Sequence, residues 1–142
     1  MKKLVIRYNA PVVLSFALLS LLALFLGQVT DGRSTALLFS VYRAPLTDPL
    51  TYFRFFGHVL GHTGYTHYIG NMLLLLLVGP ALEEKYGSRP ILIAIVVTGF
   101  LTGLVQFIFF PGTALLGASG IVFMMIVLSS FTDMGRGGIP LT

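Results

Sequence analysis

Four stretches without a charged side chain divide the sequence: Ala10–Val29, Thr66–Leu82, Ile91–Phe110 and Thr113–Phe131. Apolar residues fill each of them, and each reads as a helix of about the length that crosses a hydrocarbon core of ~30 Å. The first lies between Arg7 and Asp31. A cleaved signal peptide is its alternative reading, because Lys2 and Lys3 imitate a basic leader. Its apolar part, however, exceeds the ~7–15 residues of such leaders, and no Ala-x-Ala site closes it. The third opens after Arg89-Pro90, carries Gly99 and Gly103 at a spacing that allows close helix contact, and stops at Pro111-Gly112. The fourth stops before Asp133; Gly135-Arg136-Gly137-Gly138 reads as a flexible loop, and Pro140-Leu141-Thr142 as the opening of a fifth element.

Between the first two runs, residues 31–65 follow neither pattern. Phe39, Tyr42, Tyr52, Phe53, Phe55 and Phe56 alternate irregularly with Asp31, Arg33, Arg43, Asp48 and Arg54. Such a mixture suits a segment lying in the membrane interface, apolar side down and charges toward the headgroups. A stretch that long is expected to carry structure of its own.

Composition agrees with this layout. Of 142 residues 56% are apolar and 10% charged, the balance of a polytopic all-α membrane protein in one domain over residues 1–142. The net charge of +4 is spread in ones and twos, so no basic stripe follows a phosphate backbone and nucleic acid is not an expected partner. The chain has no Cys, which excludes disulfides and thiolate chemistry. A cytoplasmic N-terminus puts Lys2, Lys3, Arg7, Lys85, Arg89 and Arg136 inside and leaves Arg33, Arg43 and Arg54 outside, as the positive-inside rule prefers. The second and fourth spans then both begin near the outer face.

Both of those beginnings are polar. Gly117-Ala118-Ser119-Gly120 opens the fourth span, where first-turn N–H groups and the positive end of the helix dipole can stabilise an oxyanion beside the Ser119 hydroxyl. The soluble hydrolase pattern Gly-x-Ser-x-Gly is not matched, since Ile121 takes its last place. Taken alone, the motif is equally the kind of small-residue patch that packs membrane helices. His67 and Asn71 open the second span at a spacing of four, on one face and one turn apart, so both could donate into one cavity. His58 and His62 repeat that spacing upstream. It also suits two zinc ligands, but Val59 stands where a zincin has its Glu and no Cys or nearby carboxylate completes a set.

Arg54-Phe55-Phe56-Gly57-His58, His62, His67-xxx-Asn71, Glu83-xxx-Gly87-Ser88 and Gly117-Ala118-Ser119-Gly120 occur in an order and spacing that resemble the rhomboid family of intramembrane serine proteases, from its first to its fourth span. The resemblance implies a rhomboid-like helical bundle with four of six spans present. It makes Ser119 the nucleophile, and His67 and Asn71, with the backbone N–H groups of Gly117 and Ala118, the oxyanion hole. It leaves Arg54, His58, His62, Glu83, Gly87 and Gly120 as structural motif positions, Glu83 being a loop residue. Phe53 departs from the family's Trp-Arg pair. The implied substrates are membrane-spanning helices cut near the outer face, with no cofactor or metal, by a multi-pass protein of the bacterial plasma membrane. The family's general base is a His in the sixth span, and the sequence ends 23 residues after Ser119, so half of the Ser-His dyad is expected from spans that lie beyond it. Two other readings compete: a rhomboid-like pseudoprotease that binds or chaperones membrane helices, and a transporter or channel subunit. Against the first stand Ser119, His67 and Asn71; against the second, spans without an acidic residue.

Overall fold

The computed structural model describes residues 10–135, which are helical apart from connecting segments and one isolated β-bridge. In chain order the helices are α1 (Pro11–Val29), α2 (Arg33–Leu38), α3 (Pro49–Gly57), α4 (Tyr65–Tyr86), α5 (Ser88–Phe109) and α6 (Ser119–Gly135); a 3-10 turn, His58–Leu60, continues α3. Helices α1, α4 and α5 are long and apolar enough to cross a membrane, and α6 is apolar over the shorter stretch Ser119–Thr132. The 22 residues of α4 reach about 33 Å at ~1.5 Å per residue. Lys2, Lys3, Arg7, Arg136 and the Gly137–Thr142 tail lie outside the described residues.

Two boundaries differ from the sequence reading. Glu83, expected in a loop, sits in the last turns of α4, because Glu83, Glu84 and Lys85 are good helix formers and the stop comes only at Gly87, whose φ of +94° favours glycine. The fourth span begins at Ser119 and not at Thr113: Pro111–Ala118 forms a loop. That loop is occupied by other bonds. Val41 and Leu115 exchange both backbone hydrogen bonds at 2.9 Å, and the Gln106 side-chain amide donates to the Thr113 hydroxyl at 2.8 Å.

Helix α4 runs through the middle and packs on α1, α5 and α6. Lipid tails are as apolar as leucine, so these contacts depend on close fit more than on expulsion of water. Gly79 shows it: a Cβ there would lie 3.0 Å from both Val13 methyls and 3.4 Å from the Met125 sulfur, so α1 and α6 meet α4 where it has no side chain. Val13 and Phe16, Met72 and Leu75, Ile91 and Ile95, and Ile121 and Met125 form the buried core around this point. The spacing of Gly99 and Gly103 admits close contact with helix α3 and the 3-10 turn that continues it: Gly99 faces Val59, and Gly103 faces the Phe55 carbonyl and the His58 ring.

Residues 31–65 are an ordered connector. Asp48 caps α3 by accepting the Leu50 N–H at 3.0 Å, with Pro49 in the first helical position. Arg54 is buried; its Nε donates to the Leu37 carbonyl at 2.8 Å and its guanidinium lies 4.7 Å from the Tyr42 ring centroid. Arg43 donates to the Phe107 and Ile108 carbonyls at 2.7 and 3.0 Å, placing a cation on the open carbonyls at the C-terminus of α5.

The far end of α4 is held by a buried carboxylate. Glu83 accepts the Val12 and Val13 N–H groups at 2.9 and 2.8 Å and the Ser88 hydroxyl at 2.7 Å. Two first-turn donors of α1 thereby gain an anionic partner from another helix, which the side chain of Ala10 at the N-cap could not provide. The motif role expected of Glu83 thus has a physical content, a cap supplied in trans.

Candidate active site

Ser119 is the first residue of α6 and is exposed. As the first helical residue it carries one of the N–H groups for which the helix supplies no acceptor. Its position depends on the loop before it. The Gly117 N–H donates to the His58 carbonyl at 2.9 Å, which ties the approach to Ser119 onto the 3-10 turn. The φ of +120° at Gly117 favours glycine, and a Cβ there would lie 2.8 Å from His67 Cε1 and 3.0 Å from His67 Nε2. Gly120 meets Thr102 of α5 at ordinary packing distance.

His67 and Asn71 do share a face of α4, and that face is turned toward Gly117. Asn71 Nδ2 would be 3.8 Å from the same Cβ. It is buried and has no hydrogen-bond partner among the described residues. A buried donor left open costs roughly 1–3 kcal/mol, so an open one marks a place where an acceptor is awaited. His67 completes the pair. Its Nδ1 lies 3.3 Å from the Thr63 N–H, which can only donate, so the proton of the neutral ring sits on Nε2, the nitrogen nearest Gly117. Two donors therefore converge on the space two residues before the serine.

The remaining histidines serve the scaffold. His58 is buried, and its Nε2–H donates to the Gly99 carbonyl at 2.8 Å while its own carbonyl holds Gly117. Burial keeps its imidazole below the ordinary value of 6.5, against the opposing pull of the Gly99 carbonyl. His62 accepts the Ala118 N–H on Nε2 at 3.4 Å, which puts its proton on Nδ1, 3.3 Å from the Leu60 carbonyl. Burial first, then the neighbouring His67 ring at 4.8 Å, push it down to about 4, so it is neutral at physiological pH. His58 and His62 turn their Nε2 atoms to different partners and do not converge as a ligand pair.

The Gly117 and Ala118 N–H groups, expected beside His67 and Asn71 in an oxyanion hole, have partners in this structure: the first donates to the His58 carbonyl and the second faces His62 Nε2. A flanking loop must satisfy its own backbone before a ligand arrives, and His58 and His62 do this here. Among the described residues, the donors left open beside Ser119 are those of Asn71, of His67 and of the first turn of α6. Sequence reading also passed over Thr63, whose only signal was its place four residues before His67, and Tyr68, whose hydroxyl donates to the Ala17 carbonyl at 2.8 Å and ties α4 to α1.

Comparison with known proteins places this geometry in context. Residues 49–136, from α3 to the end of α6, match the model of the Rhomboid domain. Over 121 residues, 85% of the chain, it is 26% identical to proteins named rhomboid protease GlpG from two strains of Klebsiella pneumoniae. The alignment covers 44% of those proteins, so the chain spans less than half the length of these relatives. With the matched domain embracing the buried arginine, the three histidines, Asn71, Glu83 and the Gly-Ala-Ser-Gly turn, the chain belongs to the rhomboid family.

Proposed function

We propose that this chain forms the first four spans of a rhomboid serine endopeptidase that cuts membrane-spanning helices near the outer face, with Ser119 as the nucleophile. The observation that carries the reading is the unpaired, buried Asn71 Nδ2 beside the Nε2–H of His67, next to an exposed serine at a helix start. Ser20 Oγ, Arg54 Nη1 and His58 Nδ1 are also buried without a partner among the described residues, so it is the convergence of Asn71 and His67 beside Ser119 that supports the reading.

In this reading the Ser119 oxygen attacks the scissile carbonyl carbon while its proton passes to a general base. Negative charge gathers on the carbonyl oxygen, where Asn71, His67 and the first-turn N–H of Ser119 receive it. Collapse expels the amine of the leaving segment, which takes a proton from the protonated base, and water then releases the acyl group. His67 is unsuited to the base role, because Nδ1 is held by Thr63 and Nε2 already carries a proton. His58 and His62 are committed to Gly99 and Ala118. The base is therefore assigned to a histidine in spans beyond Thr142. A cytoplasmic N-terminus in a bacterial plasma membrane, residues 31–65 in the outer interface, and membrane-protein substrates with locally unwound helices complete the proposal.

The test uses the protein carried to its natural C-terminus. A fluorophosphonate probe should label it at Ser119 and a single-span substrate should be cleaved; residues 1–142 alone should do neither, and co-expression with the remaining spans should restore labelling. Robust labelling of residues 1–142 that disappears in Ser119→Ala would mean that the base lies within them. A full-length protein that binds membrane helices without labelling or cleavage would be a pseudoprotease.

A further inference from the structure

Thr63 lies between the 3-10 turn and α4 and belongs to none of the motif positions. It sits just before Gly64, which stands at the N-cap of α4 and brings no side-chain cap. His67 occupies the third position of that helix and reaches back: its Nδ1 is 3.3 Å from the Thr63 N–H and 3.3 Å from the Thr63 hydroxyl. The arrangement is a variant of the capping box: an imidazole replaces the usual Glu or Gln, and the N–H it accepts comes from the residue before the N-cap. Its chemical consequence is larger than the cap. A neutral imidazole has one donor and one acceptor nitrogen, and the partner of one fixes the character of the other. The N–H can only donate, and the hydroxyl is free to do the same, so Nδ1 is the acceptor and Nε2 the donor. Nε2 is the nitrogen that faces Gly117.

We propose that Thr63 is a positioning residue that sets the His67 tautomer, so that a proton stands on Nε2 and is offered to the carbonyl oxygen of the substrate. The inference rests on His67 acting as an oxyanion donor. Thr63 touches no reacting atom and acts through the ring. The opposite tautomer would present a lone pair to the developing negative charge and repel it. The ring is held on its other side by His62, 4.8 Å away and edge-on, which restrains rotation but offers Nδ1 no donor. Tautomer control therefore falls to Thr63.

The test uses the full-length protein with isotope-labelled histidine, and the His67 signals are assigned by their loss in His67→Gln. Nitrogen shifts read the tautomer directly, and cleavage kinetics read its effect. Thr63→Pro removes the backbone N–H, the one group that can only donate to Nδ1, together with the hydroxyl; Thr63→Val keeps the N–H and removes the hydroxyl alone. We expect Thr63→Pro to raise the Nδ1–H population and to lower kcat about 10-fold at unchanged KM, less than the roughly 10²–10³ expected for losing the donor outright. Thr63→Val, which keeps the obligate donor, should hold the tautomer of the unaltered protein. The proposal is overturned if the unaltered protein carries its proton on Nδ1, or if Thr63→Pro leaves the tautomer or kcat unchanged. It is also overturned if Thr63→Val fails as badly as Thr63→Pro with an equal drop in melting temperature. The nuclear resonance readout needs no turnover, so a protein that proves inactive would refute the proposed function while the tautomer result still judges Thr63.

Discussion

The two ends of α4 hold polar groups in opposite states. At the C-terminal end the Glu83 carboxylate has three donors from two other elements, two of them first-turn N–H groups of α1. At the N-terminal end Asn71 keeps a buried amide donor with no partner among the described residues, and the His67 Nε2 faces Gly117, two residues before Ser119. Both clusters lie in a setting where unsatisfied polar groups are costly. The closed cluster spends its hydrogen bonds on joining helices. The open one retains donor capacity for something that arrives later. Counting which buried donors are filled separates scaffold from site on one helix.

Substitutions at the two ends test that contrast. The largest effect belongs to Ser119→Ala in the full-length protein, which should abolish cleavage and probe labelling with no change in melting temperature. Next, Asn71→Ala or His67→Ala should lower kcat by about 10²–10³ for each donor lost. Asn71→Ala should leave thermal stability unchanged or raise it, since it removes a donor that is already unpaired. A marked loss of stability there would mean that the open cluster is scaffold after all. At the closed end the ordering reverses: Glu83→Ala should destabilise by about 1–3 kcal/mol for each α1 N–H it orphans, read by thermal or denaturant unfolding. Activity per folded molecule should change little, and Glu83→Gln should recover part of the stability by keeping an acceptor.

The smallest effect is that of pH on stability through the connector. His62 is held at about 4, mainly by burial and next by His67, against an ordinary value of 6.5. Within that window the unfolded chain binds a proton that the folded chain refuses. Stability from this group is therefore complete above about pH 6.5 and is lost as pH falls toward 4. Melting curves across the window should show the decline, and His62→Gln should flatten it in part, since His58 is shifted in the same direction. A slope unchanged by His62→Gln would separate His62 from the loop that carries Ser119.

Much of this architecture was readable in the linear pattern. Uncharged runs longer than about 17 residues mark candidate spans because a hydrocarbon core admits little else, and α1, α4 and α5 lie on three of them. His67 and Asn71 were legible as a pair because four residues is one helical turn. What the pattern could not decide was which backbone groups already had partners. The α6 boundary shifted to Ser119 because Leu115 pairs with Val41, far away in sequence. The Gly117 and Ala118 N–H groups proved to be engaged because His58 and His62 reach them from another element. The spacing of Gly99 and Gly103 allowed close helix contact without saying with which element; the partners are α3 and the 3-10 turn. Spacing along a helix is local geometry and is written in the sequence; hydrogen-bond satisfaction is a property of the whole fold, because each donor takes its acceptor wherever tertiary packing brings one within reach.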